Sequence, residues 1–365
     1  MALFKYLRLL AVVVCMVINI SGCVSQFRED TGSSGVEGVR YMKNQESIPM
    51  MVKVFVAEDE YFYAAASSVD CLDWQGTVLW QTTALGSTSI TVLEDGIFTE
   101  TYSLKEERSG VAFLSLEGEV MWQKDTGPPF SSNAMGGSSE LLVVGVAGTL
   151  WAFSRTGEAL WGYKHSIGIN QVVVAPDNSC IIFTDYNYAI NCVSQNKLLW
   201  SSAVGDVHFR DIGRNVRIAP DSSYVVYGSN KGGSSLIAAT LTGEELWSFP
   251  VKEYLLSAEI TRDSEYIIAG AYNHVYKLRR DGTLVWDKRI PGNNYYLAIT
   301  PEADYIAVGS TGLPSTFYLL DETGNALWAV NSLDTIWAVT ISPDGKHAAF
   351  SNRSLRVYIL TNPPE

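Results

Sequence analysis

From residue 71 onward, short apolar runs of strand length alternate with turn residues, and one five-residue signature closes each unit. In six copies a glycine is followed by three residues and a tryptophan, of which GTVLW (76–80) is the first. A seventh copy, NKLLW, has Asn196 in the glycine position. Asparagine is the other residue that readily takes a positive φ, as a tight hairpin turn requires. The tryptophans are 39 to 47 residues apart: Trp80, Trp122, Trp161, Trp200, Trp247, Trp286 and Trp328.

A second pattern lies earlier in the units, where an apolar strand, a Pro/Asp/Ser turn and another apolar strand follow one another. VVVAPDNSCIIF (172–183) and LAITPEADYIAVG (297–309) are examples. Together the two patterns predict four short strands per unit and no amphipathic helix of ten or more residues. A repeat of about 40 residues with four strands is typical of a β-propeller blade. We therefore predict an all-β chain with a single propeller domain over residues 36–362.

The number of blades follows from counting the units. Seven complete units end at the tryptophans, and an eighth begins at Ile336 and supplies only three strands. Residues 38–43 (GVRYMK), with Tyr41 in the tryptophan position, align with LVWDK (284–288) and can supply the missing strand. An N-terminal strand in the last blade closes the ring and removes an open sheet edge. We favour eight blades, with seven as the alternative if residues 47–80 are too irregular to form the first one.

The recurring tryptophans are predicted to be structural and not to form a binding site. A single blade cannot bury both faces of its sheet, so it must pack against its neighbours. A large flat side chain at the same place in every blade can wedge against the next blade.

Three of the turns, at residues 156–161, 242–247 and 323–328, read T-G-x-x-x-W. They resemble the tryptophan-docking repeats of the quinoprotein-like (PQQ-like) propeller superfamily, and the resemblance covers roughly residues 38–361. It implies the propeller fold but leaves the function open, because the superfamily includes quinone-dependent dehydrogenases and non-catalytic propellers. An enzyme of this kind would need PQQ beside a calcium ion, carboxylate and amide ligands, an Asp base and often a disulfide between adjacent cysteines. This sequence has no adjacent cysteines, and no ligand set can be assigned.

The N-terminal segment has the layout of a secretory signal. Residues 1–22 contain Lys5 and Arg8, then an apolar run over 9–17 that is too short to span a bilayer. The ending at residues 20–23, ISGC, resembles the lipobox of prokaryotic lipoproteins, which implies cleavage before Cys23 and its lipidation. The alternative is an uncleaved anchor with an ordinary cysteine. Residues 23–35 are predicted to be a flexible tether, so that the folded domain lies outside the cytoplasm and is held at a membrane.

Composition excludes several classes of function. The 365 residues are 47% apolar, which is too high for a disordered chain, and 39 acids against 26 bases give a net charge of −13. An acidic surface repels nucleic acid, so no nucleic-acid partner is expected. Four histidines and five cysteines leave little material for a metal cluster, and we predict no metal and no cofactor. The histidines, His165, His208, His274 and His347, are expected in solvated loops at the rim.

The cysteines allow one specific hypothesis. If the hairpin after Ile182 turns at residues 185–187, Cys180 lies directly across from Cys192, close enough for a disulfide outside the cytoplasm. The alternative is two separate buried thiols. Cys71 has no evident mate and is predicted to be a small buried hydrophobe.

Functional residues are expected in the loops, because the turns of all blades collect at the two faces of a propeller. The longer insertions are 103–110, 125–139, 229–235 and 291–296. We expect a non-catalytic protein-interaction or scaffold module of the cell envelope, with the membrane and another envelope protein as partners. The alternatives are a quinone-dependent oxidoreductase, or carbohydrate or cell-wall binding through Tyr295 and Tyr296. The acidic surface suits a basic partner.

Overall fold

Every regular element in the described part of the chain is a β-strand. The computed structural model describes residues 40–41, 46–49, 54–65, 68–82, 89–103, 108–127, 134–146, 148–205, 216–354 and 356–361. Within these ranges there is no helix of the length and hydrophobicity needed to cross a membrane. The signal segment 1–22, the tether 23–35 and Cys23 lie outside the described residues.

The strands are short and follow one another closely. The first ten are β1 (Arg40–Tyr41), β2 (Glu46–Pro49), β3 (Val54–Ala57), β4 (Tyr61–Ala65), β5 (Val69–Asp73), β6 (Val78–Gln81), β7 (Ile90–Leu93), β8 (Gly96–Ser103), β9 (Arg108–Leu114) and β10 (Val120–Gly127). The next twelve are β11 (Met135–Gly137), β12 (Leu141–Val146), β13 (Thr149–Ser154), β14 (Ala159–Lys164), β15 (Ile169–Val174), β16 (Ile181–Asp185), β17 (Ala189–Ser194), β18 (Lys197–Ala203), β19 (Arg217–Ile218), β20 (Val225–Ser229), β21 (Ser235–Ala239) and β22 (Glu245–Pro250). The remaining nine are β23 (Leu255–Ile260), β24 (Tyr266–Arg279), β25 (Leu284–Ile299), β26 (Tyr305–Thr311), β27 (Ser315–Asp321), β28 (Ala326–Ser332), β29 (Ile336–Ile341), β30 (His347–Asn352) and β31 (Arg356–Thr361).

These strands form seven sheets, numbered here by their order along the chain. The first five contain four consecutive antiparallel strands each: β3–β6, β7–β10, β11–β14, β15–β18 and β19–β22. The sixth sheet has the order β1-β28-β27-β26-β25-β24-β23, and the seventh the order β2-β31-β30-β29. The sheets are arranged as a β-propeller, as the repeats predict.

The sixth sheet contains two of the sequence repeats, those that end at Trp286 and Trp328. Its long strand β24 turns back at Asn273, which has a φ of 57°. The amide of Arg280 then donates to the carbonyl oxygen of Glu265 at 2.8 Å. Counted as sheets the blades number seven, which matches the alternative count instead of the favoured eight. The sequence repeats outnumber the sheets because hydrogen bonds join these two repeats into one sheet.

The N-terminal segment closes the ring, but not with the residues expected from sequence. Strand β2 pairs antiparallel with β31, with Ser47 opposite Tyr358, and so supplies the fourth strand of the seventh sheet. Within residues 38–43, Arg40 and Tyr41 instead pair in parallel with β28 at the outer edge of the sixth sheet. The alignment of Tyr41 with the tryptophans therefore identified the wrong strand, because the closing strand carries no tryptophan.

The core lies between the sheets. Each sheet packs on the next through a cluster of buried apolar side chains, and the ring is sealed where Phe62 and Leu72 of the first sheet meet Ala349 and Ile359 of the seventh. Sealing the ring in this way leaves no sheet face open to water. All described residues belong to one compact unit, Gly35–Glu365.

Candidate functional site

The tryptophans lie between neighbouring sheets or repeats, where the indole reaches the outer turn of the next one. The indole nitrogen of Trp122 donates to the carbonyl oxygen of Arg155 at 2.8 Å, and that of Trp200 to the carbonyl oxygen of Leu241 at 2.8 Å. Both acceptors precede the turn glycine by two positions. The same bond joins Trp247 to Arg280 (2.8 Å) and Trp286 to Glu322 (3.0 Å). At Trp122 and Trp200, which are part-buried, the bond satisfies an indole donor that would otherwise be desolvated without a partner.

The turn glycines are required for this contact. Gly157 has a φ of 81°, and a Cβ at this position would lie 2.7 Å from the indole of Trp122. Gly243 has a φ of 91°, and its Cβ would lie 2.9 Å from Trp200. A side chain would therefore be strained at the backbone and would collide with the ring. Asn196, in the seventh copy of the signature, has the positive φ predicted for it, 65°.

Trp328 differs from these four indoles. It is 4% exposed, yet its Nε1 has no hydrogen-bond partner within the residues that the structure describes. Its neighbour is the seventh sheet, whose outer strand β2 comes from the N-terminal segment and is not joined to β31 by a glycine turn. At Trp122 and Trp200 the acceptor is a carbonyl oxygen in the glycine turn before the outer strand of the next sheet. The seventh sheet has no glycine turn between β31 and β2, so it offers Trp328 no acceptor of this kind.

One end of the propeller is strongly acidic. In each repeat the turn after the inner strand and the turn before the outer strand lie at the same end, because antiparallel strands alternate in direction. These turns carry 21 Asp and Glu side chains against six Lys and Arg, and we call them the acidic end: 58–60, 73–77, 94–95, 115–119, 138–140, 154–158, 175–180, 194–197, 219–224, 240–244, 261–265, 279–283, 300–304, 321–325 and 342–346. This end is therefore the first candidate for a binding surface.

Hydrogen bonds join the turns of the acidic end to one another. The amide of Asp221 donates to Ser264 Oγ at 3.1 Å, across the boundary between the fifth and sixth sheets. The amide of Asp344 in the seventh sheet donates to Oδ1 of Asp59 in the first at 2.9 Å. Further bonds join Ser138 to Asn178, Asp177 to Ser222 (3.1 Å) and Arg262 to Pro301 (2.8 Å). The acidic end is therefore a braced surface and not a set of independent loops.

Several carboxylates of the acidic end are held in the charged form. Hydrogen bonds from the side chain and amide of Ser179 lower the pKa of Asp177 below its ordinary value. For Asp344, partial burial opposes ionisation, but hydrogen bonds from Lys346 and Ser342 outweigh it and lower the pKa to about 2. Glu58 differs, because burial and the nearby Asp59 raise its pKa. Hydrogen bonds to the carboxylate thus keep the negative charge of this surface in place at neutral pH.

A cavity of about 390 Å³ lies at the centre of the ring. The inner strands of four repeats line it with mainly apolar side chains, and its polar lining includes Glu259, Arg262, Thr300 and Thr340. Beside it, Arg217 Nη2 and Nε approach the two carboxylate oxygens of Glu259 at 2.7 and 3.0 Å. This bidentate pair neutralises both charges and links the inner strands of the fifth and sixth sheets.

The cavity does not fit a calcium-bound quinone. Glu259 is the one carboxylate in its lining, and Arg217 already occupies both oxygens of that group. Calcium requires six to eight oxygen ligands, several of them carboxylates. In the described part of the chain there is no group of three or more His, Cys, Asp or Glu side chains placed to hold a metal ion.

The histidines are more involved in the structure than sequence reasoning indicates. Nε2 of His165 lies 2.9 Å from Asp185 Oδ2, and Nδ1 of His274 lies 2.5 Å from Asp287 Oδ1. His347 stacks on Trp74 with ring centroids 5.2 Å apart. All three are half-buried, so the expectation of solvated rim histidines is wrong for them. His208 lies outside the described residues.

Asp185 is a buried organising residue that the sequence analysis missed. Besides His165, it accepts hydrogen bonds from the amides of Asn187 and Ala189 at 2.9 and 3.1 Å, and from Asn191 Nδ2 at 3.1 Å. Both carboxylate oxygens of Asp185 thus have hydrogen-bond partners, and these bonds fix the turn between β16 and β17. The signal in the sequence is an aspartate at the first position of a D-Y-N turn, a residue that caps its own turn.

This turn sets the register of the cysteine hairpin, which differs from the predicted one. Cys192 lies opposite Ile182, not opposite Cys180, so the predicted strand register is wrong by two residues, whereas the disulfide stays a prediction. Cys180 and Cys192 are buried free thiols, and contact with the Cys180 thiol together with burial raises the pKa of Cys192. Cys71 is a buried free thiol as well, and burial, with Asp73 nearby, raises its pKa to about 11.

Tyr295 and Tyr296 do not form an open aromatic platform. Residues 291–296 belong to strand β25 and not to a loop. Both tyrosines are half-buried, and Tyr296 packs against the buried cluster that includes Phe317 and Val339. This placement gives no support to carbohydrate binding at these residues.

The repeats and their docked indoles have a counterpart among known families. A family model described as outer membrane protein assembly factor BamB matches residues 146–329, just over half of the chain. The chain belongs to this family. None of the curated proteins matches the sequence.

Two solved structures have a fold similar to that of this chain. The crystal structure of BamB from Moraxella catarrhalis has a TM-score of 0.61 and 16% sequence identity, covering 88% of this chain and 98% of that chain. Hydrazine synthase from Kuenenia stuttgartiensis has a TM-score of 0.55 and 17% identity, covering 80% of this chain and 99% of that chain. At these identities the likeness concerns the fold alone, and the fold by itself does not assign a function.

Proposed function

We propose that the chain is a lipid-anchored, extracytoplasmic β-propeller that acts as a non-catalytic docking platform for another protein of the cell envelope. Membership of the family described as outer membrane protein assembly factor BamB supports a role in an envelope assembly. The observation that carries the proposal is the acidic end, whose turns are hydrogen-bonded to one another from sheet to sheet. A braced surface loses little conformational entropy when a partner binds.

The charge of this surface indicates the kind of partner. Carboxylates outnumber cations at the acidic end, and Asp177 and Asp344 stay ionised because hydrogen bonds lower their pKa. Complementary charge speeds association and selects partners, so the protein that docks here carries a basic surface.

Co-purification tests the proposal. The full chain is crosslinked in intact cells and recovered from gently solubilised membranes at low and high salt. We expect a basic envelope protein whose recovery falls as salt rises, because exposed charges are screened. Glu119→Lys, Glu158→Lys and Glu244→Lys, made singly and together, reverse exposed charges of the acidic end and should lower the recovery.

Glu253→Lys is the matched control, since it makes the same charge change at an exposed position of the other end. Equal losses for Glu253→Lys and for the single acidic-end variants would contradict docking at the acidic end. Recovery of the chain alone, together with turnover of an added electron acceptor, would contradict the platform itself.

The lipid anchor is tested separately. We expect the mass of the N-terminal peptide to show an acylated Cys23, and Cys23→Ser to move the protein from the membrane to the soluble fraction. A multiply acylated cysteine holds a protein stably at a bilayer, whereas an unmodified one does not. An unmodified Cys23 in the membrane-bound protein would remove the anchor from the proposal.

A further inference from the structure

Two leucines project from the end of the propeller opposite the acidic end. Leu313 is 104% exposed and Leu333 is 71% exposed, which makes them the most exposed large apolar side chains of the described residues. Ser315 at the start of β27 pairs with Ser332 at the end of β28, so the two leucines lie beside adjacent strand ends at the same end of the sixth sheet. Most other apolar side chains of the β27–β28 hairpin are buried, among them Phe317 and Val330, while Leu327 on β28 is 36% exposed. The two turns therefore carry the most exposed apolar side chains of this part of the sheet.

The turns that carry these leucines are held in place. Ser315 Oγ donates to the carbonyl oxygen of Gly312 at 3.3 Å. On the other side, Ser332 Oγ donates to the carbonyl oxygen of Asp334 at 2.6 Å and accepts a bond from Asn352 Nδ2 at 3.1 Å. Leu313 and Leu333 thus extend into solvent from ordered backbone.

The charge around the leucines is opposite in character to that of the acidic end. Arg353 and Arg356 are exposed on the adjacent turn of the seventh sheet, and the amide of Arg353 donates to the carbonyl oxygen of Thr335 at 2.8 Å. The carboxylate of Asp334 accepts bonds from Ser354 Oγ at 2.8 Å and from the amide of Thr335 at 2.7 Å. Apolar tips flanked by arginines suit an anionic bilayer surface, whereas the acidic end would be repelled by it.

The same hairpin receives the N-terminal segment. Arg40 pairs with Trp328 on β28, the strand that ends next to Leu333. Cys23 precedes Arg40 by 17 residues. At about 3.3 to 3.6 Å per residue that length of chain spans at most about 60 Å, more than the roughly 20 Å height of a seven-residue strand. An anchor at Cys23 can therefore bring either end of this sheet to the bilayer. The leucines and arginines favour contact through the end that carries them.

We propose that the end of the sixth sheet bearing Leu313 and Leu333 rests on the membrane, with both leucines in the headgroup region and the acidic end facing away. This inference rests on the lipid anchor of the proposed function. It gives the disc an orientation in which the acidic end is free to receive a basic partner while the anchor is engaged.

The test uses the acylated full chain in vesicles of phosphatidylethanolamine and phosphatidylglycerol. Leu313→Cys and Leu333→Cys carry an environment-sensitive NBD label, and Met121→Cys, exposed near the acidic end, is the matched control. Cys71, Cys180 and Cys192 are buried, so labelling under native conditions is selective. We expect a blue shift and quenching by spin-labelled lipid at 313 and 333, and neither at 121. Labels at 313 and 333 that respond like the one at 121 would overturn the proposal.

A second measurement uses the unacylated Cys23→Ser chain and flotation with the same vesicles. The double variant Leu313→Asp with Leu333→Asp should lower binding by about tenfold or more, because burial of leucine supplies apolar contact area. Met121→Asp should leave binding unchanged. If the 313 and 333 labels shift only after an envelope protein is added, the leucines dock in a protein and the membrane proposal fails.

Failure of the anchor is distinguishable from failure of the orientation. An unmodified Cys23 would remove the anchor, but the labels can still be read on a Cys23→Ser chain held through an N-terminal hexahistidine on nickel-chelating lipid. A blue shift at 313 and 333 in that setting supports the orientation independently, and its absence contradicts it.

Discussion

The indole nitrogen of Trp200 is bonded to the carbonyl oxygen of Leu241, 41 residues further along the chain. This contact crosses from the fourth sheet to the fifth and ends at the turn of Gly243, whose φ is 91°. Each such bond is a long-range contact that reports whether two neighbouring sheets or repeats are docked.

We expect Trp200→Phe to lower the free energy of unfolding by about 1 to 3 kcal/mol. The change removes the bond to Leu241 and part of the ring that packs against Gly243. Urea denaturation followed by circular dichroism measures the loss.

Trp328→Phe provides the comparison, because Trp328 Nε1 has no acceptor within the described part of the chain. Phenylalanine removes an unsatisfied donor there, so we expect a smaller loss than for Trp200→Phe despite deeper burial. A larger loss at 328 would show that the indole proton does have a partner in the folded chain.

Gly157→Ala should destabilise the protein more than Gly232→Ala. Both glycines have a φ of 81°, but a Cβ at 157 meets the indole of Trp122 at 2.7 Å, whereas nothing lies within 4 Å of a Cβ at 232. The control carries only the backbone strain, about 1 to 2 kcal/mol, and overpacking adds about 1 to 3 kcal/mol at 157. If chemical denaturation showed the same loss of unfolding free energy for both variants, the ring of Trp122 would be able to move away from a Cβ at 157 without an energetic penalty.

Stability should fall in mild acid through His347. Burial lowers the pKa of His347; the charge of Lys346 lowers it further, and the charge of Asp344 opposes the shift. The ring of the folded chain therefore stays neutral at pH values where the unfolded chain begins to protonate it. The contribution is fully present above the unfolded pKa of about 6.5 and is lost as pH falls through the folded pKa. Urea midpoints at pH 7.5 and pH 5 measure the effect.

His347→Phe retains an aromatic ring against Trp74 and removes the titration. It should reduce the drop in midpoint between the two pH values. An unchanged drop would assign the pH dependence to other groups.

We expect Cys180 and Cys192 to be unreactive thiols in the folded protein. Both are buried, so neither sulfur is accessible to an alkylating reagent while the protein is folded. Iodoacetamide should modify neither residue before denaturation and both afterwards, without added reductant. A mass lower by two hydrogen atoms, with both thiols blocked until reduction, would instead establish the disulfide.

The fold could be predicted because its signal is local and repeated. A turn residue with positive φ and a tryptophan four positions later recur at one spacing, and even the substitution of Asn196 obeys the same backbone requirement. The C-terminal unit was also predicted, since it begins at Ile336 and contains the three strands β29, β30 and β31.

Features that depend on pairing between distant segments could not be predicted. The apolar pattern of residues 38–49 does not reveal that Ser47 pairs with Tyr358 while Arg40 pairs with Trp328. The cysteine register failed because Asp185 caps a turn longer than the one assumed, and a change in turn length moves every opposed pair. The two exposed leucines have ordinary sequence neighbours, and only the structure distinguishes them from buried ones.

The pairing of Ser47 with Tyr358 also dictates the order of assembly. As the chain is made from its N-terminus, β2 emerges early and must wait for the strand it completes until β31 has followed. The ring therefore cannot close during synthesis. Until β31 has been made, the incomplete propeller exposes two unpaired sheet edges, which must be protected from aggregation.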